Sequence, residues 1–242
     1  MPVDILATLL LTTVIQSLFG VGILLFGTPL MLLLGYEFSY ALSVLLPISI
    51  AVNILQVLKH YSYINLKLYK NVLLYSIPFI VLFLFIITNI QLNLGLIIGI
   101  FLIFVALKSF FPRIDQTLKA MIRYEKLYLI SMGIVHGITN LGGSLLTALA
   151  HEQNQPKNIT RATIAICYAT FALFQLLTLY FIGYEGGMPY ADNMLLLQTS
   201  IVVFLLTEEF IYNQIDNKRY TQLFAVFLAL SGVLLLLKSL NS

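Results

Sequence analysis

"ILATLLLTTVIQSLFGVGILLFGTPLMLLL", Ile5–Leu34, is a run of 30 residues without a single charge. As one helix it would be roughly 45 Å long, at ~1.5 Å of rise per residue. The hydrocarbon core of a bilayer is about 30 Å thick, so the run is too long for one crossing and too short for two. Gly20, Gly22, Gly27 and Pro29 fall in its middle and second half, and both residue types loosen or end helices. The stretch predicts two half-helices folded back as a hairpin that enters and leaves on one face.

The remainder of the chain belongs in the same solvent. Of its 242 residues 60% are hydrophobic and 10% charged, with mean hydropathy +0.97. Soluble domains carry about 25% charge, so the fold class is an all-α polytopic membrane protein with no segment left for a soluble domain. Seven further apolar blocks follow the first: Ser39–Leu58, Val72–Ile90, Leu92–Phe111, Leu127–Ala150, Thr160–Gly183, Met194–Tyr212 and Leu223–Leu237. The polar stretch Pro112–Lys126 divides the eight evenly, which predicts a first membrane repeat at 1–111, a basic cytoplasmic linker at 112–126 and a second repeat at 127–242.

The first residues do not read as a signal peptide, since no Lys or Arg precedes the apolar run and Asp4 sits at its start. One cysteine, Cys167, leaves no intramolecular disulfide and no cysteine-based metal cluster. There is no HExxH, no GxSxG and no phosphate-loop motif. The expectation is therefore no enzyme, no metal and no cofactor. The Lys and Arg residues lie in short loops where membrane orientation explains them, so no nucleic-acid partner is expected.

The fifth block hides a second break. "VHGITNLGGSLLTALAHE", Val135–Glu152, interrupts apolar sequence with a His, an Asn and a Gly-Gly pair. Sliding the chain by 121 residues lays Gly22 on Gly143, Ala41 on Ala162 and Ala51 on Ala172. Charge decides how both breaks sit. If all eight blocks cross, the 13 Lys and Arg residues divide 9 to 4 between the faces. If the first and fifth blocks are re-entrant, six spans remain and the division becomes 12 to 1, with Lys238 alone outside. The positive-inside rule selects the re-entrant arrangement and puts both termini outside. Each half then crosses three times, an odd number, so the halves are inverted repeats. Inverted repeats with broken helices meeting near the midplane are a recurrent transporter plan.

Phe19–Ser43, "FGVGILLFGTPLMLLLGYEFSYALS", and Gly137–Ile164, "GITNLGGSLLTALAHEQNQPKNITRATI", resemble the two glycine-rich repeats of the TauE/SafE sulfite-exporter family. The likeness rests on the clusters Gly20-Val21-Gly22 and Gly142-Gly143, on Pro29, and on Ala41-x-Ser43 about twenty residues after the first cluster. Ile23 stands where a third glycine is common, and Ala150 stands at the second Pro position. The resemblance implies a cell-membrane carrier of small oxidised-sulfur or organosulfonate anions such as sulfite.

An anion at the midplane needs positive potential, and formal charge there is expensive. Half-helices beginning after Gly22 and Gly143 would supply it through their free first-turn N–H groups, which glycine leaves uncovered. Close helix packing is the other reading of the same glycines. Ser144 and Thr147 would cap the second half-helix or donate to the anion. Thr28, Thr139 and Asn140 flank the breaks as further candidates. Asn53, Gln56 and Gln175 are span amides that face either the pathway or a neighbouring helix.

His136, just before the break, either couples a proton to transport or is a neutral hydrogen-bonded histidine. Cys167 reads as a buried small hydrophobe. Glu208 and Glu209 read as solvated at the end of the seventh block, and His151 and Glu152 as interfacial. The small anion, the lipid bilayer and a coupling proton or sodium ion are the partners this plan implies.

Overall fold

The computed structural model describes residues 2–90, 92–111, 116, 120–153, 155–211 and 217–240. The first block is two helices, α1 (Val3–Phe19) and α2 (Ile23–Leu34), followed by α3 (Phe38–His60). Next come α4 (Leu66–Tyr75), α5 (Ile77–Thr88) and α6 (Leu94–Phe110). After the linker come α7 (Glu125–Thr139), α8 (Gly143–Glu152), α9 (Lys157–Phe181), α10 (Tyr190–Ile211) and α11 (Asn217–Leu240). Part of the linker at 112–126, Arg113 and Lys119 included, lies outside the described residues.

Among the described residues four helical stretches are long and apolar enough to cross a membrane: Phe38–Tyr63, Leu66–Thr88, Asn158–Phe181 and Tyr190–Glu208. α1 has 17 residues, α2 has 12, α7 has 15 and α8 has 10, so each falls short of the ~20 a span needs. The first pair closes on itself, because the Tyr36 hydroxyl after α2 donates to the Asp4 carboxylate at the start of α1 over 2.8 Å. The second pair closes at the other end of the molecule. There Glu125, which opens α7, and Gln153 and Gln155, which follow α8, line one cavity of about 270 Å³. Asn65, Lys67 and Leu68 from the α3–α4 connection line the same cavity.

The spans run between these two ends. Asn193 donates to the Ser43 carbonyl at 3.5 Å, and Lys59 pairs with Glu208 at 3.5 Å, so α3 and α10 run parallel. Asn65 N–H meets the Thr163 hydroxyl at 2.8 Å, and the Tyr69 hydroxyl meets that of Thr170 at 3.1 Å, so α4 and α9 run parallel too. α6 and α11 are antiparallel: a Cβ on Gly95 would meet Ser239, and one on Gly99 would meet Leu236 and the Gly232 backbone.

Packing crosses the boundary between the halves. α1 lies on α10 and α7 on α5, while α3 packs on α9 and α6 on α11. The α7–α5 contact uses Gly133 and Gly137, whose Cα faces sit on the Ser76 and Ile80 carbonyls. Small residues four apart allow that approach where no hydrophobic force separates helix from lipid.

The span expected at Val72–Ile90 starts earlier, at Leu66, because α4 and α5 form one bent crossing. Pro78 supplies no N–H to the helix behind it, and the Ser76 hydroxyl at the bend donates to the Leu129 carbonyl of α7 at 2.8 Å. Lys67 and Lys70, expected in a loop, are helical in consequence.

Candidate functional site

Both breaks are built the same way. α1 ends on Gly20 at φ 73 and α7 on Asn140 at φ 62, the left-handed region. The Gly20 N–H donates to the Gln16 carbonyl and the Asn140 N–H to the His136 carbonyl, each at 2.8 Å. A Cβ on Gly22 would strike the backbone of Thr12 and Gln16, and one on Gly142 would strike Met132 and His136. In space Gly22 therefore matches Gly142, one residue earlier than the 121-residue alignment has it. Asn140 takes the turn that Gly20 takes, since a short polar side chain tolerates positive φ better than most.

At the first break Gln16 is the centre, a residue that the sequence alone does not single out. Its amide donates to the Gly20 carbonyl at 2.9 Å, to Asn53 at 3.1 Å and to Gln56 at 3.3 Å. Its Oε1 accepts from the Ile23 N–H at 3.2 Å. One of the free N–H groups expected at the start of α2 is thus already capped by a side chain. Asn53 in turn donates to the Ser49 carbonyl and hydroxyl. The Gln56 amide nitrogen is buried with no protein partner.

At the second break His136 Nε2 and Gln175 Oε1 meet at 3.2 Å, and the imidazole lies 4.7 Å from the Phe171 ring and 6.4 Å from the Tyr168 ring. His136 Nδ1, Asn140 Oδ1 and the Gln175 amide nitrogen have no protein partner, and all three residues are 0–1% exposed. Asn140 donates to the Thr28 hydroxyl of α2 at 2.8 Å, which ties one hairpin to the other.

The hydroxyls here serve their own backbone. Thr139 donates to the Val135 carbonyl and accepts from the Leu141 N–H. Ser144 and Thr147 donate to the Leu141 and Gly143 carbonyls at 2.9 and 2.8 Å. Gly143 presses its Cα against the Tyr168 hydroxyl and ring, so a Cβ there has no room. Thus Gly20, Gly22, Asn53 and Gln56 gather at the first break. Thr28, His136, Thr139, Asn140, Gly142, Gly143, Ser144, Thr147 and Gln175 gather at the second. Cys167 is fully buried and unpaired by disulfide.

Glu208 is the clear departure. Expected to be solvated, it is 6% exposed and pairs with Arg161 at 2.9 Å. Arg161, expected among the loop charges, is instead a buried residue in the second turn of α9. Charges near a helix end read as loop charges until the rotation of the helix is known.

At the opposite end, burial, then the bond to Asp4, pushes the Tyr36 phenol up to about 12. It stays a protonated donor that holds the first hairpin shut. The family model described as Sulfite exporter TauE/SafE matches residues 5–235, nearly the whole chain. No curated protein and no solved structure matches it.

Proposed function

Because the chain belongs to the TauE/SafE sulfite exporter family, we propose that it carries a small oxidised-sulfur or organosulfonate anion such as sulfite across the cell membrane by alternating access. The observation that carries this reading is a matched pair of donors. Each break faces a buried glutamine whose amide nitrogen has no protein partner, Gln56 on α3 and Gln175 on α9. Buried polar groups left unpaired by the protein are uncommon and call for an explanation. N–H donors beside glycine breaks suit an anion that sheds its water.

The carrier form of the mechanism draws on burial. Gln16, Asn53, Gln56, His136, Asn140 and Gln175 are all 0–1% exposed. Substrate reaches them by rearrangement of the helices, which fits a carrier better than a standing pore. The identical caps at Gly20 and Asn140, with hairpins opening to opposite ends, support two inverted repeats. The 12-to-1 charge division supports a cytoplasmic position for the face bearing Lys59, Lys67, Lys126 and Lys157.

Purified protein in lipid vesicles provides the test. Sulfite uptake should saturate, and internal sulfite should drive counterflow of labelled external sulfite. Saturation without counterflow, or flux linear in concentration, would favour a channel-like facilitator on the same scaffold. Absence of flux for sulfite, thiosulfate and sulfonates alike would overturn the reading.

A further inference from the structure

Among the described residues Arg161 and Glu208 are the buried charged side chains, each 6% exposed. They lie against the first break. The Arg161 guanidinium donates to the Ser17 carbonyl in the last turn of α1 at 3.2 Å and to Glu208 Oε1 at 2.9 Å. Its Cγ would be 3.2 Å from a Cβ on Gly20, the residue that makes the left-handed turn. The other carboxylate oxygen of Glu208 lies 3.5 Å from Lys59, whose side chain is 54% exposed. The three charges therefore form a path from water to the break, buried at one end and open at the other.

Stability alone explains such a pair poorly. Burying two ions costs several kcal/mol each, and apolar replacements are often as stable. An arginine fork, by contrast, is suited to planar or pyramidal oxyanions, which it binds by paired N–H donors.

We propose that Arg161 binds the transported anion at the first break and that Glu208 holds this position as a tethered substitute for it. An anion arriving from the basic face takes the guanidinium, and the released carboxylate moves onto Lys59 at the water boundary. One negative group is exchanged for another, so the arginine is never left buried alone. This inference rests on the anion-transport reading above and names the residue that would recognise the charge.

The test uses sulfite as probe, with binding measured on detergent-solubilised full-length protein and flux measured in vesicles. Glu208→Gln removes the competitor and should tighten sulfite binding about tenfold, the size of one charged hydrogen bond. Arg161→Gln should abolish binding and flux. Either single variant leaves a buried charge unpaired and can fail to fold, so the double variant Arg161→Gln/Glu208→Gln is the deciding one. Its neutral pair should restore the thermal midpoint and still neither bind nor carry sulfite. A double variant that binds and carries like the wild type makes the pair structural and overturns the proposal. Wild-type protein that binds no sulfite also overturns it. Wild-type protein that binds sulfite through Arg161 yet shows no flux overturns the transport reading alone.

Discussion

At the scale of single residues the two breaks differ in what presses on their glycines, and the difference can be measured. At Gly143 the obstacle is the Tyr168 side chain, which can be replaced; at Gly22 it is the backbone of Thr12 and Gln16, which cannot. Gly143→Ala should lower the thermal midpoint by several degrees and cut flux, consistent with about 1–3 kcal/mol of overpacking. Adding Tyr168→Leu should restore the midpoint. Gly22→Ala should be as damaging, and no side-chain replacement should rescue it; normal expression and flux in that variant would refute the close packing at the first turn. Asn140 separates turn from ligand. A glycine in its place would adopt φ 62 without strain, so Asn140→Gly should lower the midpoint only by the worth of the lost bond to Thr28, about 1 kcal/mol, while also removing the free Oδ1. Slowed sulfite flux in a stable protein is expected, and unchanged flux would reduce Asn140 to a helix cap.

At the scale of elements the breaks were legible and the polar contacts were not. Gly20–Gly22 and Gly142–Gly143 stand out as glycine clusters inside apolar runs, and the division of charge then predicts hairpins for the broken runs. The half-helix boundary at Ile23 follows directly, and the second falls at Gly143, one residue before its expected start. Gln16 stays hidden because one amide in an apolar helix does not announce the partners it meets 37 and 40 residues away. Arg161 and Glu208, 47 residues apart, are invisible as a pair for the same reason. Which face of a helix a residue occupies is set by tertiary packing, and hydropathy carries no record of it. The hairpin arrangement makes a prediction about sidedness. Cys167, the single native cysteine, is fully buried, so an introduced thiol should dominate labelling by a membrane-impermeant maleimide. Glu37→Cys and Lys157→Cys should react from opposite sides of the membrane. Reaction of both from one side would remove the re-entrant hairpins and with them the 12-to-1 division of charge.

At the scale of the whole molecule the two halves are interlocked. The first hairpin lies on α10 and the second on α5, each in the opposite half, and α3 with α9 and α6 with α11 join across the same boundary. The exchange is reciprocal, since each half's hairpin packs on a span of the other. It also makes neither half a complete packing unit. In isolation the first half would expose to lipid the faces of α1 and α5 that now meet α10 and α7, along with the Ser76 hydroxyl that donates to Leu129. An unmet hydroxyl or amide in hydrocarbon costs several kcal/mol. The buried amides at each break have the same need, since the first half's Thr28 meets the second half's Asn140. Expression of residues 1–111 alone, or of 127–242 alone, should therefore yield protein that is degraded and inactive. Co-expression of the two should restore saturable sulfite flux, because the contacts that hold them together are helix faces and not the linker. Flux from either half by itself would contradict the interlocked architecture, and failure of the co-expressed halves to assemble would make the linker at 112–126 part of the fold.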